Sequence, residues 1–285
     1  MVRTIKGAFR KAKPISQRSL LDEQQLIKLN LLKTLVQRDL AARYKGSVLG
    51  NLWPLLNQLS QLLIYTYVFS IILKVRLPAT NLPENSFTFG LWLFAGLVPW
   101  IAFTTGFMQA ANVVVGQPNL VKKVVFPLSL LPLVPVLSAF IESTFGLMAL
   151  IVMLAISSDT LHPTLFLLPL VWVTQLLFTA GLGYLTAGFT VFLRDIPQSL
   201  IVLVNLWFYL TPICYPATVI PEQWRELVFW LNPMAAIAET YRDIILVGEI
   251  NHPGEWAVAT LISLAIFGLG LWSYRRLRPA FADVI

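Results

Sequence analysis

Charge is scarce in this chain. Only 12% of its 285 residues are Asp, Glu, Lys or Arg, where a soluble domain carries about 25%. That deficit excludes an ordinary soluble domain and excludes disorder. Cysteine occurs once, at Cys214, so an intrachain disulfide is impossible. Histidine occurs twice, at His162 and His252, which leaves a His/Cys metal centre almost without ligands. No metal or resident cofactor is therefore expected. There is no GxxxxGK[ST], no HExxH and no Ser/His/Asp grouping. With no phosphate-binding loop and no catalytic constellation, no catalytic residue is assigned. Any work the chain performs draws its energy from another subunit or an ion gradient.

What is present in excess is hydrocarbon, at 57% of residues. Runs free of charge recur at the length needed to cross about 30 Å of bilayer core. They predict an all-α membrane protein with six spans, near 52–74, 88–112, 128–157, 164–191, 197–214 and 256–274. The net charge of +7 would suggest nucleic acid as a partner in a soluble protein. Here the cations sit at particular depths instead. All but four of the 21 Lys and Arg residues fall on one side of the six-span arrangement, the exceptions being Lys74, Arg76, Arg225 and Arg242. The positive-inside rule then places both termini in the cytoplasm. The organisation read from this is a basic arm (1–18), an amphipathic interface helix (19–45) and a single transmembrane domain (46–285). The first 21 residues lack an apolar core and do not read as a secretory signal.

The segments between spans carry their own signals. In 19–45, Leu29, Leu32, Val36 and Leu40 recur at helical spacing among Lys28, Lys33, Arg38, Arg43 and Lys45, with Ser19 as a cap. This predicts a helix in the interface beside anionic lipid, or one packed on a partner protein. In 116–126, Gly116 and Pro118 break a helix, and Asn119 is placed to cap a short new one. Its apolar side, Leu120, Val121 and Val124, lies beside Lys122 and Lys123. It is read as a docking element, with a plain connector as the alternative. In 215–250, Pro221 opens one short helix; Asn232 and Pro233 cap and open a second, and Gly248 ends it. Both are too short to span and too apolar to float freely, which predicts a re-entrant or interfacial hairpin on the outer side.

Inside the spans, Glu142 is read as the one deep ionisable residue, either a proton site or a contact satisfied by a neighbouring helix. Asn57, Gln61 and Tyr65 lie one turn apart on span 1, flanked by Gln58, and Asn205 and Tyr209 do so on span 5. Uncharged amides and phenols donate and accept together, which suits hydroxyl-rich cargo. Hydrogen bonds between spans are the competing explanation.

The order of several stretches resembles a known family. RDLAARYKGSVLGNLWPLLNQ (Arg38–Gln58), GLVPWIAF (Gly96–Phe103), LVKKVVFPLSLLPL (Leu120–Leu133), FLRDIPQ (Phe192–Gln198) and YLTPICYPATVIPEQW through LNPMAAIAETYRDIIL are similar to ABC-2 type permeases that export polysaccharides. The O-antigen and teichoic acid exporters are the nearest in pattern. The resemblance implies a homodimer with two separate ATPase subunits, which bind ATP and Mg, in the bacterial inner membrane. It implies that Asn119, Leu120, Val121, Lys122, Lys123 and Val124 belong to a helix coupled to the ATPase. Spans 1 and 5 would wall the channel with Asn57, Gln61, Tyr65, Asn205 and Tyr209. The outer gate would include Trp224, Trp230, Asn232 and Pro233. The cargo would be a polysaccharide on polyprenyl diphosphate, met at the interface by Arg38, Arg43 and Lys45. Two other readings are a permease of the same superfamily for a drug or small lipid, and a membrane enzyme acting on lipid-linked sugars. The enzyme would need a carboxylate pair such as Glu222 and Glu226, whose spacing fits a solvated helix face better.

Overall fold

A computed structural model describes residues 17–73, 88–122, 126–158 and 161–285. Residues 1–16 of the basic arm, Lys74, Arg76, Lys123, Val124 and Asp159 fall outside the described residues. Among the described residues the chain is helical throughout, without strands.

The first helix, α1 (Gln17–Arg43), begins two residues before Ser19, so Ser19 lies within its first turn instead of capping it. Of the anticipated apolar stripe, Val36 is buried while Leu29 remains 61% exposed. That leaves an apolar surface available to lipid. After the left-handed Gly46 and Gly50, α2 (Trp53–Tyr65) starts with Pro54 in its first turn, where a missing N–H costs nothing. It continues through Thr66–Ile72 in wider π-type turns, with Leu73 N–H donating to Val68 O at 2.9 Å.

Next, α3 (Thr88–Asn112) is the central helix. Every side chain from Phe89 to Trp100 is buried, as expected of a helix apolar on all faces. A short α4 (Pro118–Val121) follows, preceded by Gln117 at the capping position. Here the structure differs from the sequence reading: Pro118 opens the helix and Asn119 lies inside it. Then come α5 (Leu133–Ser158), α6 (Leu168–Thr190) and α7 (Ile196–Leu210), the last ending four residues earlier than anticipated. Thr211, at its end, has extended backbone (φ −98°, ψ 130°), which stops the helix.

The short pair α8 (Glu222–Leu231) and α9 (Pro233–Arg242) begins and breaks at the anticipated residues. The Asn232 carboxamide accepts from Met234 N–H at 3.2 Å, capping α9. Asp243–Val247 continue in π-type turns, and Gly248 terminates them at φ +83°. Finally α10 (Pro253–Leu277) packs along α6 and parallel to it, with Thr174 beside Thr260 near their starts and Gly188 beside Leu277 near their ends. A Cβ on Gly270 would lie 2.2 Å from the Gly181 carbonyl oxygen, and one on Gly181 would lie 2.6 Å from the Phe267 nitrogen. The two backbones therefore touch, in the close small-residue approach common to helices in membranes.

Among the described residues, four helical segments are long and apolar enough to cross a membrane: Phe89–Asn112, Leu128–Ile156, Pro163–Thr190 and Pro253–Val284. Ile196–Leu210 is a shorter apolar helix. Large apolar side chains such as Phe166, Leu206, Leu261 and Trp272 project outward from these elements. An apolar exterior of that kind is solvated by lipid.

Candidate functional site

The polar chemistry of this apolar fold gathers in two places. The first is where α1 meets the bundle. Arg43, in the last turn of α1, pairs with Asp39 one turn earlier at 2.8 Å and with Glu142 of α5 at 2.9 Å. Its guanidinium also donates to the Gln109 side chain of α3. The Tyr44 hydroxyl donates to the other oxygen of Glu142 at 2.8 Å. Burial, reinforced by that carboxylate, pushes the Tyr44 pKa up to about 12. Glu142 thus has a partner on each oxygen, and the reading of it as a contact satisfied by a neighbouring helix fits better than a proton site. Arg38 and Lys45 are exposed. Arg43 is turned inward, so the structure does not bring these three cations together.

Beside this network lies a cavity of about 330 Å³ lined by Tyr44, Asn57, Gln58, Ser60, Gln61 and Glu142. The Oε1 atoms of Gln58 and Gln61 are buried without a hydrogen-bond partner. Gly146 of α5 makes room for Gln58, since a Cβ there would lie 2.8 Å from its Oε1. Tyr65 is half-buried and contacts Phe69, with ring centroids 6.3 Å apart. On α7, Asn205 and Tyr209 are exposed, Tyr209 at 72%. One chain therefore joins Asn57 and Gln61 in one cavity and leaves the α7 residues on a separate surface.

The anticipated docking helix is partly anchored to its own domain. Val121 is buried beside Val114, Leu128 and Tyr274, and Leu120 packs against the same cluster. Asn119 and Lys122 are exposed. The apolar side thus faces the bundle, and Asn119 and Lys122 leave the polar side of α4 exposed. The chain after it is pinned by two tyrosines. Tyr184 of α6 donates to Ser129 O at 2.7 Å, and Tyr274 of α10 donates to Leu128 O at 2.9 Å.

The second polar centre was not anticipated. Arg242, counted in the sequence as an outer-loop cation, is among the largest fully buried side chains. Its Nη1 donates to Pro212 O at 2.8 Å and to Glu239 Oε1 at 2.9 Å; its Nη2 donates to Ile213 O at 2.7 Å. The guanidinium carbon lies 3.6 Å from the Trp92 ring centroid, a cation–π contact. Gly96 permits this, because a Cβ there would stand 2.5 Å from Nη2. Next along, Asp243 accepts from Asn251 N–H at 2.8 Å and sits 3.6 Å from His252. At that distance the His252 contact is electrostatic, and the carboxylate raises the histidine pKa against the opposing effect of desolvation. In addition to Glu142 within a span, Arg242 and Asp243 are thus ionisable groups buried outside the six anticipated spans. The sequence carried no clear signal for this: Ile237, Tyr241, Ile244 and Ile245 recur on one face, with Glu239, Arg242 and Asp243 off it, the pattern of a helix with a solvated side.

Of the anticipated outer-gate residues, Trp224 and Trp230 are exposed at 53% and 44%. Pro233 is buried. Asn232 accepts from Trp207 Nε1 at 2.9 Å and donates to Thr211 at 2.9 Å, tying the end of α7 to the start of α9.

Long apolar helices, an apolar exterior and two ion-paired centres define a multi-pass membrane protein. The chain belongs to the ABC-2 type transporter family, whose pattern matches residues 30–246. It is 32% identical over 258 residues to the O-antigen export system permease protein RfbA of Myxococcus xanthus, covering 90% of this chain and 95% of that one. It is 27% identical over 260 residues to the protein of the same name from Klebsiella pneumoniae, with the same coverage of 90% and 95%. The polysialic acid transport protein KpsM of Escherichia coli is 24% identical over 249 residues, 86% of this chain and 92% of that one.

Proposed function

We propose that this chain is the transmembrane permease subunit of an ABC exporter that moves a polyprenyl-diphosphate-linked polysaccharide out of the cytoplasm across the bacterial inner membrane. The observation that carries the reading is similarity over nine-tenths of the chain to a protein named as an O-antigen export permease. Uncharged polar side chains on α2 and α7 support it, since amides and phenols suit a hydroxyl-rich cargo. In this reading two copies of the chain pair and place those faces on one route. Two copies of a separate ATPase bind ATP and Mg, and α4 and α1 transmit their motion. The chain crosses the membrane six times with both termini in the cytoplasm, as the distribution of Lys and Arg favours. α8 and α9 form the outer gate.

The functional test is genetic. Loss of the chain should leave lipid-linked glycan inside the cell, and re-expression should return it to the surface. Undiminished surface glycan without the chain overturns the assignment. The purified chain alone should not hydrolyse ATP, because it contains no phosphate-binding loop. For orientation, single cysteines at Ser86 and Glu249 in a Cys214→Ser background should react with an impermeant reagent from outside. Those at Lys13 and Arg278 should react only after permeabilisation. A swap between the two pairs overturns the six-span arrangement.

A further inference from the structure

A second and larger cavity, about 670 Å³, lies on the other side of the Arg43 network. It is walled by Asp39 of α1, Gln109 and Asn112 of α3, Gln117 at the start of α4, and Pro197 and Gln198 of α7. Four of these six are carboxamides: Gln109, Asn112 and Gln117 from the α3–α4 junction, and Gln198 from α7, remote from them in sequence. Each carboxamide offers two donors and an acceptor and carries no charge. No Lys or Arg lines the cavity, and its single carboxylate, Asp39, is already paired with Arg43 at 2.8 Å. A diphosphate or an acidic sugar would find no cation there. Met108, Pro135 and Ile201 complete the walls with apolar surface of the kind that covers the C–H faces of a pyranose. The volume falls within the roughly 300–1,000 Å³ of small-molecule sites.

We propose that this cavity is a binding site for a neutral, hydroxyl-rich sugar segment. The proposal rests on the reading of the chain as a glycan permease and adds a subsite outside the channel residues of α2 and α7. Two features tie the site to the rest of the machine. Gln109 reaches the Arg43 guanidinium, whose other partner, Glu142, lines the smaller cavity. Arg43 therefore stands between the two polar cavities. Gln117 and Gly116 lead directly into α4, so a sugar held here touches the element that faces the ATPase.

The test uses the full chain in phosphatidylcholine nanodiscs and two trisaccharide probes, neutral mannotriose and anionic trisialic acid. Saturation-transfer NMR should show mannotriose binding. Its dissociation constant should rise about tenfold in Asn112→Leu and Gln198→Leu, the scale of one or two lost hydrogen bonds. Neither variant touches the Arg43 pairing, and unchanged thermal unfolding would confirm that both fold. Absence of mannotriose binding, unchanged binding in both folded variants, or preference for trisialic acid overturns the proposal. The glycan-permease reading is judged separately by surface glycan in cells. If wild type and both variants export at equal rates, the subsite falls and the permease assignment stands.

Discussion

The Arg43 guanidinium meets the Glu142 carboxylate at 2.9 Å across 99 residues of sequence. This contact makes α1 part of the bundle rather than a loose interfacial attachment. Both side chains are more than four-fifths buried. Removing one partner leaves the other charge desolvated, whereas removing both removes the conflict. Glu142→Leu and Arg43→Met should each lower stability by about 1–3 kcal/mol. The double variant should recover part of that loss. Thermal unfolding in detergent, read as a double-mutant cycle, checks it. Strictly additive losses would mean that the pair is not coupled.

The buried Arg242 should be less forgiving. Its fork satisfies the carbonyls of Pro212 and Ile213, which lie beyond the end of α7, together with Glu239. Lysine is a point charge and cannot span three acceptors while stacking on Trp92. Arg242→Lys should destabilise by about 3 kcal/mol or more. Gly96→Ala should act through the same contact, because the new methyl group would occupy the space of Nη2. A normal melting temperature in both variants would show that the α8–α9 hairpin is held by apolar packing alone.

How much of this was readable in sequence follows from how local each feature is. Asn232, Pro233 and Gly248 delimit α9 because a cap, a first-turn proline and a left-handed stop act within a few residues. The crossing of Gly181 with Gly270 and the seat of Arg242 over Gly96 unite residues remote in the chain, and a single sequence does not reveal such pairs. Lipid also erases the usual clue: when both the core-facing and outer sides of a helix are apolar, no periodicity shows which side is buried. Hence Val121, read as part of a docking side, lies buried beside Tyr274 in its own domain. Asn57 and Gln58, adjacent in sequence, proved to be one exposed and one buried.

His252 gives the α8–α9 hairpin a pH dependence. Its pKa is raised from 6.5 by Asp243, so the protonated form is favoured in the folded state. A raised folded pKa contributes stability in full below the unfolded value and loses it as pH rises through the folded value. Thermal stability should therefore fall as pH rises above 6.5 and through the raised folded value, and this component of the fall should vanish in His252→Asn. Stacking of His252 on Phe229, with ring centroids 5.7 Å apart, places the change at the contact with α8. An unchanged pH profile in His252→Asn would place the dependence elsewhere.

The transport route gives the last prediction. Asn57, Asn205 and Tyr209 are exposed in the single chain, and Gln61 keeps an unpartnered Oε1. If these residues line a wet path together with Tyr65, replacing each with Leu orphans no buried partner. Folding and dimerisation should then stay nearly intact while glycan export falls, most at Tyr209 and Tyr65 if sugar rings stack on them. If instead they bond between helices of a dimer, each Leu should destabilise the protein by about 0.6–2 kcal/mol. Export would then fall only as far as folded protein is lost. Export per folded molecule, measured beside thermal stability, separates the two. Normal export per folded molecule in all five channel variants would remove them from the route.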